Sequence, residues 1–348
     1  MGKPKDRHGI LPCGKAGEAA TPLQVLVDET VDEWWREKHR EQSPEEIAFL
    51  NSIVPDRCPL CLRSGPLTRW GKGRKGRQRW LCRACGKTFS PLKGTLFQDA
   101  KIPISEWVEM IAGMLEFHST KSSSFDNRNA PTTGYYWEAK IFAALDGWRG
   151  EAALGEEFWL DEFFWDVDPE GRVLTPQGKR LRGISRNKVC VICATDGATT
   201  VAAVAGTGKP TRAMMSAIAP CITPGSTMHD DGEKAHAALV ESLSLRRVCH
   251  PTKDTKGLPD ELNPMDPIND VHDKMKMYLR SHRSFLVGKL QGLLDLFCFR
   301  WSRPGMGVYE VAGEIIKLAV SRRKVIKYRT FYAPKGLRHR KKRPTLCK

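Results

Sequence analysis

The sequence predicts an α/β layer domain preceded by a small cysteine-built module and a short helical segment. Two observations carry that expectation. Between residues 158 and 250, short apolar runs alternate with turn signals and helical stretches, and ahead of them two Cys-x₂-Cys pairs stand 20 residues apart. A third observation concerns the partner: 56 Lys and Arg oppose 40 Asp and Glu, leaving a formal charge of +16 over 348 residues. An excess of that size does nothing for a fold, but it favours a polyanion, of which nucleic acid is the commonest. No run approaches the ~20 apolar residues of a membrane span. The N-terminus lacks the apolar core of a secretory signal, so the expected location is the cytoplasm, on the nucleoid. There thiols stay reduced, and an odd count of 11 cysteines reads as metal ligands and core residues.

The elements follow in order. Residues 1–42 are polar and aperiodic, a tail and linker. Ser43-Pro44-Glu45-Glu46 is a helix start: Ser43 caps, Pro44 suits the first helical position, and Glu46 completes a capping box. This helix and the four cysteines make a module over 43–95. A helical segment over 96–150 begins with the spacing of Ile104, Trp107, Val108, Ile111 and Leu115, and a further helix starts near Thr133. The α/β domain spans 151–303. Strands are expected at 158–165, 188–195, 200–205, 227–229 and 247–250, with helices at 211–219, 233–243, 266–283 and 288–301. Residues 304–348 form a basic extension ending in the Arg338–Arg343 run.

Cys58, Cys61, Cys82 and Cys85 have the spacing of a structural Zn²⁺ site, since two tight turns bring four thiolates to one point. Gly86 suits the turn after the second pair, whereas Leu62 makes the first less ideal. Between the pairs, Lys72, Arg74, Lys75, Arg77 and Arg79 lie beside Trp70 and Trp80 and could grip backbone phosphates. Cys190 and Cys193 repeat the spacing inside an apolar strand, where they point to opposite faces and read as core.

Three acidic points stand out. Asp161 and Glu162 lie in an otherwise apolar strand, where ionised carboxylates are costly unless they meet cations. Asp230-Asp231-Gly232 sits at a strand end, where catalytic groups of α/β sheets gather. Asn269, His272 and Lys276 fall on one face of a helix, and an Asn amide oxygen can serve a hard cation. Two carboxylates and a carbonyl could hold two Mg²⁺ or Mn²⁺ ions around a scissile phosphate, one activating the attacking oxygen and one stabilising the leaving oxygen. Spacing alone does not choose between the members of each acidic pair.

Asp161-Glu162, then Asp231-Gly-x-x-Ala, then Asn269 with Lys276 seven residues on, resembles the DDE transposases of bacterial insertion sequences, in the ISXO-type branch. Gly183–Asp196 and Gly94-Thr-x-Phe97 fit as well, and the likeness covers roughly 43–301. The resemblance implies an RNase H-like catalytic domain behind a zinc ribbon, with cleavage and strand transfer at element ends. It implies Asp161, Asp231 and Asn269 as metal ligands and Lys276 as a phosphate-side residue. Glu162, Asp230 and His250 come second. His236 stands where relatives carry Tyr, and Ser119–Pro131 is a weak match to a helix-turn-helix. The implied partners are double-stranded DNA, at element ends and target, and further copies of the chain. A regulator that binds DNA through the ribbon without cutting it is the reading from a different function class.

Overall fold

The computed structural model describes residues 42–331 apart from 99, 101, 283 and 284, and outside that span only 22, 25 and 26. Most of the predicted N-terminal tail and the Arg338–Arg343 run therefore lie outside the described residues. The chain divides into two compact units, one drawn from 1–110, 120–138 and 320–348, the other from 111–119 and 139–319. Among the described residues no helix is long and apolar enough to cross a membrane.

In the first unit, α1 (Pro44–Ser52) starts where its cap predicts: Ser43 Oγ accepts from Glu46 N at 3.1 Å. The Glu46 carboxylate turns to the Gln42 amide. A three-stranded antiparallel sheet follows, β1 (Leu67–Lys72), β2 (Gln78–Cys82) and β3 (Thr88–Phe89), in that spatial order. Its small core is Trp80 and Phe89 packed with the cysteines, so little apolar burial holds it.

Three helices come next, α2 (Ile104–Leu115), α3 (Thr120–Asp126) and α4 (Pro131–Leu145), of which α2 from 111 and α4 from 139 are counted with the second unit. Trp107 of α2 stacks on Trp137 of α4 with ring centroids 4.0 Å apart. Asn127 and Asn129, awkward in a continuous helix, build the turn between α3 and α4. Asn127 Nδ2 donates to the Glu106 carbonyl, Asn129 N donates to the Ser124 carbonyl at 2.7 Å, and Arg128 between them takes φ 54°. At Gly134 α3 and α4 meet so closely that an added Cβ would stand 1.6 Å from Ser124 Oγ. Residues near 323–331 also belong to this unit: Arg323 pairs with Asp56 at 2.7 Å, and Tyr136 donates to the Ile326 carbonyl at 2.6 Å.

The second unit is a mixed α/β layer. Its sheet contains β4 (Glu157–Asp166), β5 (Lys188–Thr195), β6 (Thr200–Thr207), β7 (Thr227–Asp230) and β8 (Arg246–Cys249), in the order β6-β5-β4-β7-β8. β4, β5 and β6 are antiparallel neighbours, and β7 and β8 continue the sheet parallel to β4. Strand alternation splits β4. Phe158 and Leu160 join Ile192, Ala203 and Met228 in a core shared with Leu239 of α5 (Ala237–Leu243). Trp159, Asp161 and Phe163 face the other way, where α6 (Asp266–Ser281) lies across β4 and β5, and α7 (Leu290–Trp301) lies on β6. The stretch beyond 303 contains α8 (Val308–Ser321), whose Val311, Ala312, Ile315 and Ile316 are buried.

One expected helix takes another form. Residues 211–219 are not α-helical but form short 3₁₀ segments, Arg212–Ala217 and Ala219–Cys221. Pro220, inside the second segment, bars continuation of the stretch as an α-helix, because its ring would meet the carbonyl of Ser216 and it has no amide donor. The helix expected from 233 likewise opens as a 3₁₀ turn, Lys234–His236, capped by the Glu233 carboxylate on Ala235 N.

Gly134→Ala should destabilise the first unit by about 1–3 kcal/mol, the usual range for overpacking. Denaturant unfolding of the variant measures this, and adding Ser124→Gly should recover part of the loss.

Candidate active site and cysteine cluster

The cysteine cluster is built by two similar turns. Leu62 N donates to the Cys58 carbonyl at 2.9 Å and Gly86 N to the Cys82 carbonyl at 2.8 Å, and both residues are left-handed, at φ 61° and 68°. Leu62 thus adopts the conformation that glycine supplies in the second turn, with its side chain 71% exposed. The four sulfurs converge within 4.8 Å, with Cys58–Cys85 and Cys61–Cys82 each 3.8 Å apart. Four sulfurs about 2.3 Å from one tetrahedral ion would stand about 3.8 Å apart, so the donor set and spacing fit zinc. Beside it, Gly73, Arg74, Lys75, Arg77, Arg79 and Phe89 line part of a depression of about 400 Å³. Lys72, Arg74, Lys75 and Arg79 are exposed, while Arg77 is half-buried and bonds Gln42.

The acidic residues belong to the sheet of the second unit. β4 and β7 pair in parallel from Glu157↔Thr227 to Trp159↔His229. Carried two residues further, the register sets Asp161 beside Asp231, just past the end of β7. Side chains at matching positions of neighbouring strands share a face, so Asp161 and Asp231 fall on the α6 side and Glu162 and Asp230 on the other. Trp159 and His229, one step earlier on the α6 side, stack with centroids 5.0 Å apart.

Burial pushes the Asp161 carboxyl up to about 7, and the charges of Asp231 and Glu162 add to the shift, against a hydrogen bond from Glu162 N at 2.8 Å. Asp231 is close enough for its charge to act on Asp161, but among the described residues only the four sulfurs form a group of three or more His, Cys, Asp or Glu ligand atoms within 4.8 Å of one another. α6 lies across β4 and β5, over Asp161. Its His272 Nδ1 stands 3.6 Å from Asp161 Oδ2, and burial, aided by Lys276, lowers the imidazole to about 3, leaving it neutral. Asn269 lies one turn before His272 and Lys276 one turn after, on the same helical face. The Lys276 ammonium sits 6.0 Å from the Phe163 ring centroid. Asp270 and Lys274 pair with each other and are exposed.

Beneath the sheet lies a charge network that the sequence did not reveal. His236 Nδ1 meets Asp230 Oδ2 at 2.7 Å and its Nε2 meets Glu162 Oε1 at 2.7 Å, with the imidazole and the Asp230 carboxyl fully buried. Arg247 of β8 reaches Asp230 Oδ2 at 2.6 Å and the Glu233 carbonyl at 2.8 Å. Burial alone would lower His236, but its bonds to Asp230 and Glu162 outweigh that and raise it to about 9. Asp230 is held below the usual carboxylate range: burial would raise it, and His236 and Arg247 more than compensate. Glu162 and Asp230 therefore engage each other's cation, away from the α6 side. His250 is elsewhere again, its Nε2 2.9 Å from His229 Nδ1, while His229 Nε2 meets Glu157 at 2.7 Å. His236 was visible in the sequence only as a departure from a family pattern, and Arg247 as one strand residue among others.

The network sets a pH dependence. His236 has a folded pKa near 9 against an unfolded value near 6.5, so its stabilisation is complete below about pH 6.5 and fades as pH rises through about 9. Denaturation midpoints should fall between pH 7 and 9.5 in the native chain and change less in His236→Gln. At pH 7, His236→Ala should cost about 3–5 kcal/mol, as expected when one partner of a buried pair is removed.

No family model matches the chain. A curated protein named "Uncharacterized protein in transposable element ISH50", from Halobacterium salinarum, is 27% identical over 141 residues. The matched stretch is 40% of this chain and 45% of that protein, so the chain spans under half the length of the relative it matches. Among solved structures, the catalytic domain of Mos1 mariner transposase aligns at 12% identity over 55% of this chain and 93% of that one, with a TM-score of 0.29. A pre-cleavage Mos1 transpososome aligns at 12% identity over 60% and 76%, with a TM-score of 0.27. A Mos1 strand transfer complex aligns at 13% over 60% and 75%, with a TM-score of 0.28. Scores this low leave the fold to rest on its own strand order; the sequence likeness is to a protein of a transposable element.

Proposed function

We propose that the chain is a DDE-type transposase of the ISXO-type branch, which binds the ends of its element and cuts and rejoins DNA at an RNase H-like site. The observation that carries the reading is the parallel β4–β7 pairing, Glu157↔Thr227 to Trp159↔His229, whose continuation would put Asp161 and Asp231 on one side of the sheet, where α6, bearing Asn269, His272 and Lys276, packs on β4 and β5. The order β6-β5-β4-β7-β8, with helices on both faces, supports the RNase H-like assignment. The partial relative in a transposable element supports the biological class.

Asp161 and Asp231 are the residues to hold divalent cations, Mg²⁺ or Mn²⁺, with Asn269 as the ligand implied from α6. Bound cations would supply the charge that activates an attacking water or 3′-hydroxyl and stabilises the leaving oxygen. The chain's own contribution is placement. Asp161 lies within β4 and Asp231 in the turn just after β7, and Lys276, whose ammonium stands 3.9 Å from Asp273, is the residue assigned to a phosphate oxygen. The cysteine cluster is assigned to zinc as a structural ion, making the first sheet a zinc ribbon. Lys72, Arg74, Lys75, Arg77 and Arg79 are assigned to phosphates of double-stranded DNA, where each contact adds sequence-independent affinity. Since two ends must be paired, a homo-oligomer on DNA is part of the proposal.

Asp161→Ala and Asp231→Ala should each abolish metal-dependent nicking of duplexes carrying the DNA that flanks the gene, while binding to those duplexes persists. Cleavage retained by both variants would sink the catalytic reading and leave the DNA-binding regulator. Cys82→Ser should lose the bound zinc, measured by metal analysis. Its ribbon should also become protease-sensitive, because its core is too small to stand without the ion.

A further inference from the structure

Between β4 and β5 the chain leaves the sheet as an arm, and the arm carries charge that the proposed site does not use. Residues 171–187 contain Arg172, Lys179, Arg180, Arg182 and Arg186 and no Asp or Glu. Lys179, Arg180, Arg182 and Arg186 are exposed, and Arg172 is half-buried. Among the described residues none of the five pairs with a carboxylate, whereas Lys188 at the root meets Asp166 at 2.8 Å.

The arm has a defined form. Val167 N donates to the Asn187 carbonyl at 3.0 Å, extending the β4–β5 ladder past Asp166↔Lys188. The buried Asn187 side chain then holds Val173 twice: Oδ1 accepts from Val173 N at 2.7 Å, and Nδ2 donates to the Val173 carbonyl at 2.8 Å. Further out, Leu174 bridges Arg180 across a turn closed by Thr175 N on the Lys179 carbonyl at 2.8 Å. Asp168 accepts from Val287 N at 3.0 Å and Trp165 stacks on Phe285, which ties the root to the segment ahead of α7. Val173, Leu174 and Ile184 stay exposed, so hydrogen bonds rather than burial hold the arm's shape.

We infer that this arm is a second grip on duplex DNA, meeting backbone phosphates through Lys179, Arg180, Arg182 and Arg186. The inference rests on the reading of the chain as a DNA-handling protein, and it adds a surface on the second unit to the basic loop of the cysteine module. Five like charges in one short arm repel one another, and no acid in the stretch relieves them. A phosphate backbone does, with release of its condensed counterions. Three of the four exposed cations are arginines, whose planar fork matches a phosphate. Such contacts set the register and orientation of a duplex without reading its sequence. The arm leaves β4 at Asp166, which lies about 17 Å beyond Asp161 along an extended strand. It therefore starts well past the acids, where it orients DNA rather than touches the reacting phosphate.

The test uses the full-length, zinc-loaded chain and a duplex carrying the DNA that flanks the gene, with affinity measured across a salt series. Changing Lys179→Gln, Arg180→Gln, Arg182→Gln and Arg186→Gln together should lower the slope of log affinity against log salt by about three to four, since each phosphate contact contributes about 0.9. The same fall should appear on a duplex of unrelated sequence. A photoreactive amino acid substituted at the exposed Gln177, with all four cations in place, should cross-link to the duplex. An unchanged slope in a folded variant, or no cross-link to DNA, would overturn the arm's role and leave DNA binding by the rest of the chain standing. An unchanged slope with loss of self-association in sedimentation would assign the arm to a second copy of the chain instead. A native chain that bound neither duplex at any salt would overturn the DNA reading along with it. The cross-link is read without the fourfold substitution, so it decides the matter even where that variant misfolds.

Discussion

The parallel pairing of β4 with β7 is the constraint on which the second unit depends. Side chains on a strand alternate faces, so a slip of one residue would carry every side chain of β7 to the opposite side. The observed register, continued past Trp159↔His229, puts Asp161 and Asp231 on the α6 face, while Glu162 and Asp230 both reach His236 on the other. A slip would bring Asp230 to the face of Asp161 and Asp231 to that of Glu162, taking Asp230 away from His236 and Arg247. Burial holds the register: Phe158, Leu160 and Met228 must all reach the same apolar core.

The two faces use their acids differently. On the α5 side, Glu162 and Asp230 are bridged by His236, and Arg247 adds a second cation from β8. Burying four ionisable groups is costly, and each is tolerable because its partners are at hydrogen-bond distance. The bridge ties β4 to the turn that follows β7, and so fixes the chain on both sides of Asp231. On the α6 side burial is the main cause of the raised Asp161 carboxyl, with the charges of Asp231 and Glu162 adding to it and that of His236 opposing it.

The first unit solves a different problem. Its three strands enclose too few apolar side chains to hold by burial, and the four thiols stand where a larger domain would place a core. The Asn127–Asn129 turn and the glycine contact at Gly134 show the same economy, since short polar residues and a missing side chain let α3 and α4 approach closely.

Much of this was legible in the residues. The strand at 188–195 coincides with its predicted limits, the other strands differ from prediction by one or two residues at an end, and the Ser43 cap and the cysteine spacing declared their partners locally. These features depend on neighbours within a few positions, where periodicity and turn chemistry act. Cys190 and Cys193 read correctly as core for the same reason, one on each face of β5. The sequence by itself determined the five strands of the second unit and most of its helices, the cysteine quartet and the identity of the acidic residues, but not the 3₁₀ form of 212–217. It could not decide which of Asp161 and Glu162, or of Asp230 and Asp231, share a face without a borrowed pattern. That is a matter of register between strands some seventy residues apart, and only the tertiary structure decides it. The same holds for the contacts of His236 and Arg247, whose chemistry comes from the buried carboxylates of Glu162 and Asp230 that distant strands bring to them.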